Sequence, residues 1–245
     1  MSDARSPEVL PAGPDGVLVR FGLTPDPDAM AAAQVLAAEL QDDAPAAAVE
    51  IAPALVSVLV RFDPGRSDRG AVARDLAARA ERIAAARPVL PDPPRRWTIP
   101  AAFGGDHGPQ LAEVAEKLGM SEDRAVQQIC ESDLRVLAIG FAPGQPYIGL
   151  LPRAWNLPRL AEMTPNVPVG AVVVAVRQIV IFGAASTTGW RQVARTGFRT
   201  FVPDRETPML LKAGDAIRYA PIGAAEIEGL MTPDGMGGAR LEILL

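Results

Sequence analysis

Cysteine and histidine each occur once in the 245 residues, as Cys130 and His107. A single cysteine excludes an internal disulfide. The pair cannot supply the four ligands of a structural zinc site or a cage of several histidines, so no metal site is expected. Aromatic residues make up 5% of the chain, which leaves few platforms for stacking nucleic-acid bases. The net charge of −5 points the same way, since nucleic-acid surfaces carry a basic balance. No apolar run approaches the roughly 20 residues that span a bilayer; the longest, residues 170–176, has the length of a strand. The first seven residues mix charges and lead into no apolar stretch, unlike a secretory leader. These absences set the expectation of a cytoplasmic chain with neither nucleic-acid nor membrane partners. Neither the phosphate-cradling GxxxxGK[ST] loop nor the GxSxG nucleophile elbow is present. No cofactor is therefore bound through a recognisable motif.

At 49% hydrophobic and 22% charged residues, the chain has the composition of a globular protein. Its length allows one large core or two smaller ones. Pro88, Pro91, Pro93 and Pro94 crowd four prolines into seven positions, a stiff extended connection. That stretch marks a boundary between domains expected at 1–92 and 95–245. In the first domain, Val17, Val19 and Phe21 alternate as in a strand, and Asp26-Pro27-Asp28 opens a helix carrying Met30, Ala33, Leu36, Ala37 and Leu40. Strands follow at 48–51 and 56–62 with Pro53 at the turn between them. A second helix then carries Val72, Leu76, Ala80 and Ile83 on one stripe. The order β-α-β-β-α is most of a ferredoxin-like unit, with a last strand expected near Val89 and Leu90. In the second domain, Pro109 opens a helix that stops at Gly119, and Ser121 caps the next. Short β-branched runs at 134–139, 171–176, 179–182, 190–194 and 216–219 favour an antiparallel barrel or sandwich.

Residues 140–152, GFAPGQPYIGLLP, combine three glycines, three prolines and two aromatics behind a strand. As a structural element this is a long turn closing one end of the barrel. As a functional element it is a rigid wall, in which Phe141 and Tyr147 give flat surface and backbone amides near Gly144 meet a carboxylate or oxyanion. Both readings stay open on composition alone. His107, between glycines and before a helix, reads as a solvated loop residue. Cys130 lies on a helical stretch with no basic residue within three positions, and reads as a small buried group rather than a thiolate. Trp190 reads as barrel core, and Arg159 either clamps an anion or pairs at the surface.

The 140–152 segment resembles the GFxPGFxYLGxL signature of the family formed by the 5-oxoprolinase B subunits and allophanate hydrolase subunit 1, which includes the histidine-kinase inhibitor KipI. Further pieces follow in that family's order. Ile99-Pro100 and Gly108-Pro109-Gln110-Leu111 are similar to its opening IPV and GPDL, and Leu157-Pro158-Arg159 to its proline-arginine segment. Residues 167–172, VPVGAV, resemble VPAGSV; 186–190, STTGW, resemble SPGGW, with Ala194-Arg195-Thr196 matching GRT; and 210–215, LLKAGD, close the set.

The resemblance implies an α+β architecture, with a ferredoxin-like N-terminal domain and a cyclophilin-like β-barrel C-terminal domain. It implies one component of an ATP-dependent complex that opens 5-oxoproline to glutamate. The partners would be a second related barrel subunit, similar to the 5-oxoprolinase C subunits or allophanate hydrolase subunit 2, and a lactam-utilisation-type subunit. The site would draw on Phe141, Pro143, Gly144, Gln145, Tyr147, Arg159, Trp190, Arg195 and Thr196. The alternative it implies is a KipI-like inhibitor of sensor histidine kinase autophosphorylation. Four departures motivate that alternative. Gln145 stands where the signature has an aromatic, Asn166 where it has arginine, Thr187 and Thr188 where it has proline and glycine, and a histidine expected near Cys130 has no counterpart. The missing histidine removes a proton carrier near neutral pH, and the missing arginine a bidentate carboxylate clamp.

Overall fold

The computed structural model describes residues 6–244. The chain divides into two compact units, one ending at Asp92 and one beginning at Pro93. In the first, β1 (Glu8–Pro11), β2 (Gly16–Arg20), β3 (Ala48–Pro53) and β4 (Ser57–Phe62) form an antiparallel sheet in the order β1-β2-β4-β3. Helices α1 (Pro27–Asp42) and α2 (Arg69–Ala86) each start from an aspartate, Asp26 and Asp68, whose side chain accepts from the backbone N–H three residues on. That bond satisfies one of the orphan donors of the first turn. The buried residues of α2 are Val72, Leu76, Ala80 and Ile83, the stripe expected from the sequence. They meet Val17, Val19, Val58, Val60 and Phe62 from the sheet in one apolar cluster.

Two details of this unit differ from the sequence expectation. Val89 and Leu90 form no strand, and Val89 is 86% exposed. Pro88 and Pro91 on either side lack the N–H that a ladder requires. The fourth strand comes instead from the N-terminal side, where β1 pairs with β2 from Glu8↔Arg20 to Pro11↔Val17. Pro53 is the last residue of β3, opposite Val58, rather than part of the turn.

The second unit is a closed seven-stranded barrel. Its strands are β5 (Arg95–Phe103), β6 (Leu134–Ile139), β7 (Pro146–Gly149), β9 (Ala171–Ala175), β10 (Gln178–Ile181), β12 (Arg191–Arg195) and β13 (Ala216–Ile222), in the order β12-β9-β10-β7-β6-β13-β5, with β12–β5 pairing to close the ring. One pairing departs from the antiparallel expectation, since β13 runs parallel to β5 from Ala216↔Arg96 to Ile222↔Ala102. On its other edge β5 pairs first with β14 (Arg240–Ile243) through residues 95–98, and then with β12 through Ala102 and Phe103. Pro100 falls in the handover between those partners, where its missing donor costs no ladder bond. A two-stranded sheet of β8 (Thr164–Val167) and β11 (Ser186–Thr188) lies outside the ring.

Helices α3 (Leu111–Leu118) and α4 (Glu122–Glu131) add Leu111, Val114, Ala125 and Ile129 to the barrel's inner cluster. The first of them begins two residues after Pro109 and ends at left-handed Gly119; the second is capped by Ser121. A short helix α5 (Ala224–Leu230) precedes β14. Strand β9 is buried on both faces. Val172 and Val174 point to the inner cluster, while Ala171, Val173 and Ala175 join a second cluster outside the ring with Val167, Val180, Phe182 and Trp190. A strand buried on both faces loses the apolar–polar alternation of a half-exposed one.

Candidate functional site

The turn between β6 and β7 is closed by its own backbone. Gly140 N donates to Gln145 O and Gln145 N to Ala142 O, each at 3.1 Å. Those two amides are thereby occupied and do not face an oxyanion. Phe141 is held at φ +70° and is 82% exposed. Few non-glycine residues adopt this left-handed backbone, and strain of this kind concentrates at working surfaces. Gly144 sits at φ +69°, and a Cβ there would lie 2.5 Å from Thr200 O, so the residue must be glycine on both counts. Nearby, a Cβ on Gly183 would lie 2.8 Å from Thr200 Oγ1 and 3.5 Å from the carbonyl oxygen of Pro143. The 140–145 turn, Gly183 and Thr200 are thus packed together at one end of the barrel.

Sequence analysis reads residues 140–152 as turn or wall. The second half is in fact strand, since β7 pairs with both β6 and β10. Pro146 opens it at a position that tolerates proline. Tyr147 projects to the outer cluster, edge-on to Trp190 at 6.1 Å between ring centres and 68° between planes. The Arg159 guanidinium lies over the Trp190 ring, 5.6 Å from its centre, within cation–π range. Trp190 is therefore core of the outer cluster, not of the barrel interior. Gln145, which ends the turn just before β7, is 3% exposed. Thr200 Oγ1 is buried without a partner. Buried polar groups are normally paired, so an unpaired hydroxyl at one end of the barrel marks a place where a ligand or water can complete the bonding.

Arg195 and Thr196 have different partners. Arg195 Nε donates to Val169 O at 3.3 Å, and Thr196 Oγ1 accepts from Phe198 N at 3.1 Å. Both bond to backbone in neighbouring turns. Thr200 and Gly183 went unnoticed in the sequence, and Arg191 was not singled out within the stretch from Trp190 to Thr196. Arg191 is 5% exposed, donates from Nε to Glu113 Oε1 at 2.9 Å and from a terminal nitrogen to Pro158 O at 2.7 Å, and so fixes the segment that carries Arg159. At the head of the strand Arg-Gln-Val-Ala-Arg, Arg191 breaks no apolar pattern that would announce its burial, although a buried arginine requires partners.

His107 lies in a single helical turn at 105–107, partly exposed, with its carbonyl accepting from Gln192 Nε2 at 2.8 Å. Cys130 is half-buried on α4. Burial, and then the Glu131 charge, push its thiol up to about 11, so it stays protonated near neutral pH and is no ready nucleophile. Among the described residues no group of three or more His, Cys, Asp or Glu stands together as a metal site. No helix among the described residues is long and apolar enough to cross a membrane.

The family described as carboxyltransferase domain, subdomain C and D, matches residues 7–211. The chain is 38% identical over 123 residues to the 5-oxoprolinase B subunit of Escherichia coli O157:H7, a match covering 50% of this chain and 56% of that one. It is 27% identical over 224 residues to the 5-oxoprolinase B subunit of Bacillus subtilis (strain 168), covering 86% of this chain and 90% of the relative. The match thus spans little more than half of the E. coli protein but nearly all of the B. subtilis one. Among solved structures, the Kluyveromyces lactis urea amidolyase superposes on 99% of this chain with a TM-score of 0.74, using 16% of its own length at 17% identity. That likeness is one of fold.

Proposed function

The chain belongs to the carboxyltransferase subdomain C and D family, that of the 5-oxoprolinase B subunits, and from that membership we propose that it is one component of an ATP-dependent complex hydrolysing an amide or lactam. Its partner in this reading is a second related barrel subunit, similar to the 5-oxoprolinase C subunits, joined by a lactam-utilisation-type subunit. The observation that carries the placement of the site is the Tyr147–Trp190–Arg159 group, two aromatic faces topped by a cation. Flat rings suit a small ring substrate, and an exposed guanidinium suits its carboxylate. Thr200 Oγ1, buried and unpaired beside the 140–145 turn, adds a hydroxyl that an amide can meet. ATP chemistry belongs to another subunit, in keeping with the missing phosphate loop in this sequence.

The test is reconstitution. The purified chain alone should release no glutamate from 5-oxoproline; with both partner subunits and ATP it should. In that complex Tyr147→Ala should lower kcat/KM by about 10-fold or more, the loss of one stacking wall, while the subunits still co-elute. Full activity in an assembled Tyr147→Ala complex would sink the site assignment. The exposed Phe141 favours a second reading. A bulky ring offered to solvent by strained backbone is the form of a protein-docking anchor, and the KipI-type role needs one. If the chain at saturating concentration leaves sensor-kinase autophosphorylation unchanged, that reading is abandoned.

A further inference from the structure

Every strand of the barrel ring has two neighbours, but β14 has one. Among the described residues it pairs with β5 alone, from Arg240↔Thr98 to Ile243↔Arg95, with no shift of register. The residue after it fixes the phase of its hydrogen bonds. Leu244 N donates to Pro94 O at 2.9 Å, so the residues bonded to β5 are Arg240, Glu242 and Leu244. The N–H and C=O groups of Leu241 and Ile243 therefore point away from β5, into the open edge. No turn or loop of the described residues bonds to them. An open edge of this kind is a template for another strand, and neither a proline nor a bulge interrupts it.

The side chains of β14 divide between its two faces. Leu241 lies opposite Trp97, which belongs to the barrel's inner cluster, and Ile243 follows on the same face. Both extend past the core they continue, Leu241 being 43% and Ile243 59% exposed. On the other face stand Arg240 and Glu242, both exposed. Glu242 lies 3.2 Å from its cross-strand neighbour Arg96, while Arg240 has no ion pair among the described residues. The edge thus offers unused backbone groups, two apolar side chains and two charges of opposite sign two residues apart.

We propose that β14 pairs antiparallel with β14 of a second copy of this chain, about a two-fold axis at Leu241. In that register Leu241 meets Leu241 of the second copy and exchanges both backbone bonds with it. Arg240 then faces the second copy's Glu242, and by symmetry Glu242 faces its Arg240. Opposite charges and apolar pairs directly across a ladder stabilise it, and like charges destabilise it. The other registers fail on this rule or on the phase of the bonds. An axis at Arg240 or at Glu242 sets two like charges opposite each other. An axis at Ile243 sets Glu242 against Leu244. An axis between Leu241 and Glu242 opposes an outward-bonding residue to an inward-bonding one, and no ladder forms. This joining of two sheets by added strands is independent of the lactam reading.

The experiment is sedimentation velocity of the full chain from about 1 μM to 1 mM. So short a ladder makes a small interface, and the expected dissociation constant is about 10–100 μM. Arg240→Glu sets like charges opposite each other twice and should weaken the dimer at least about 10-fold. The double exchange Arg240→Glu with Glu242→Arg restores both pairs and should bring the constant back to within about 3-fold. Recovery by a second charge change separates a lost contact from a misfolded chain, and melting temperature checks each variant. Leu241→Pro removes an outward donor and no bond to β5, and should leave a monomer. A chain that stays monomeric throughout the range would overturn the proposal. So would a dimer that Arg240→Glu and Leu241→Pro leave intact, because it would use another surface. A monomer that binds the second barrel subunit, and loses it in Leu241→Pro, overturns the second copy as occupant and gives the edge to that subunit.

Discussion

The two units differ most in what they bury. Among the described residues of the unit ending at Asp92, every buried side chain is apolar, and charge stays at the rim. Arg79 there gathers three carboxylates, Asp75, Glu39 and Asp43, but Asp43 is 77% exposed and Asp75 42%. In the barrel unit the buried set includes Gln145, Arg191, Gln192, Thr200 and Asp215. Asp215 is 1% exposed and accepts from Arg95 at 2.8 and 2.5 Å, from Trp97 Nε1 at 3.2 Å and from Lys212 N at 2.9 Å. Arginine–carboxylate chemistry is thus peripheral in one unit and interior in the other. Burying polar groups is costly unless each is paired. The barrel unit tolerates them and leaves Arg199 Nε, Thr200 Oγ1 and Tyr219 OH without a partner, while the other unit keeps its described interior apolar.

The largest effect should come from breaking the interior pair. Asp215→Ala strands the Arg95 guanidinium, the Trp97 indole N–H and the Lys212 amide, and should cost about 3–5 kcal/mol of stability in urea denaturation. A loss below about 1 kcal/mol would mean that the network does not hold β5 and β13 together. In the apolar unit the matching lesion is a cavity. Leu36 is fully buried, and Leu36→Ala should cost about 3 kcal/mol. Smaller again is the exposed pair, where Asp75→Ala should change stability by less than about 1 kcal/mol. A cost near that of Asp215→Ala would erase the contrast between the two units.

Much of the packing unit was legible because its signals are local. The α2 stripe and the Asp26 helix start are readable within one or two helical turns, and the structure keeps them. What escaped the sequence had either no local pattern or a distant partner. The four residues of β14, Arg-Leu-Glu-Ile, alternate polar and apolar but are all exposed, so their short alternation marks no buried face. Strand β7 hides behind turn-forming residues because its first position accepts proline. The partner of β2 lies upstream, not among the prolines of the boundary. The candidate site divides the same way. Its glycines and aromatics mark residues 140–152 as unusual, but Thr200, Gly183 and Arg191 join it only through barrel closure. No spacing rule connects them to Gln145.

The smallest stability change should be the most informative. Thr200 Oγ1 is buried without a partner among protein groups. Thr200→Val keeps the shape and removes only that hydroxyl. If the site is dry and the oxygen idle, the valine should be neutral or stabilise by up to about 1 kcal/mol, since a desolvation penalty disappears. If a resident water completes the bonding, the variant should lose about 1 kcal/mol instead. Activity of the reconstituted complex separates structure from function here. A Thr200→Val chain that is at least as stable, assembles normally and loses kcat/KM would show that the barrel keeps an unpaired hydroxyl at a cost in stability because a ligand uses it. A variant that gains stability and keeps full activity would remove Thr200 from the site.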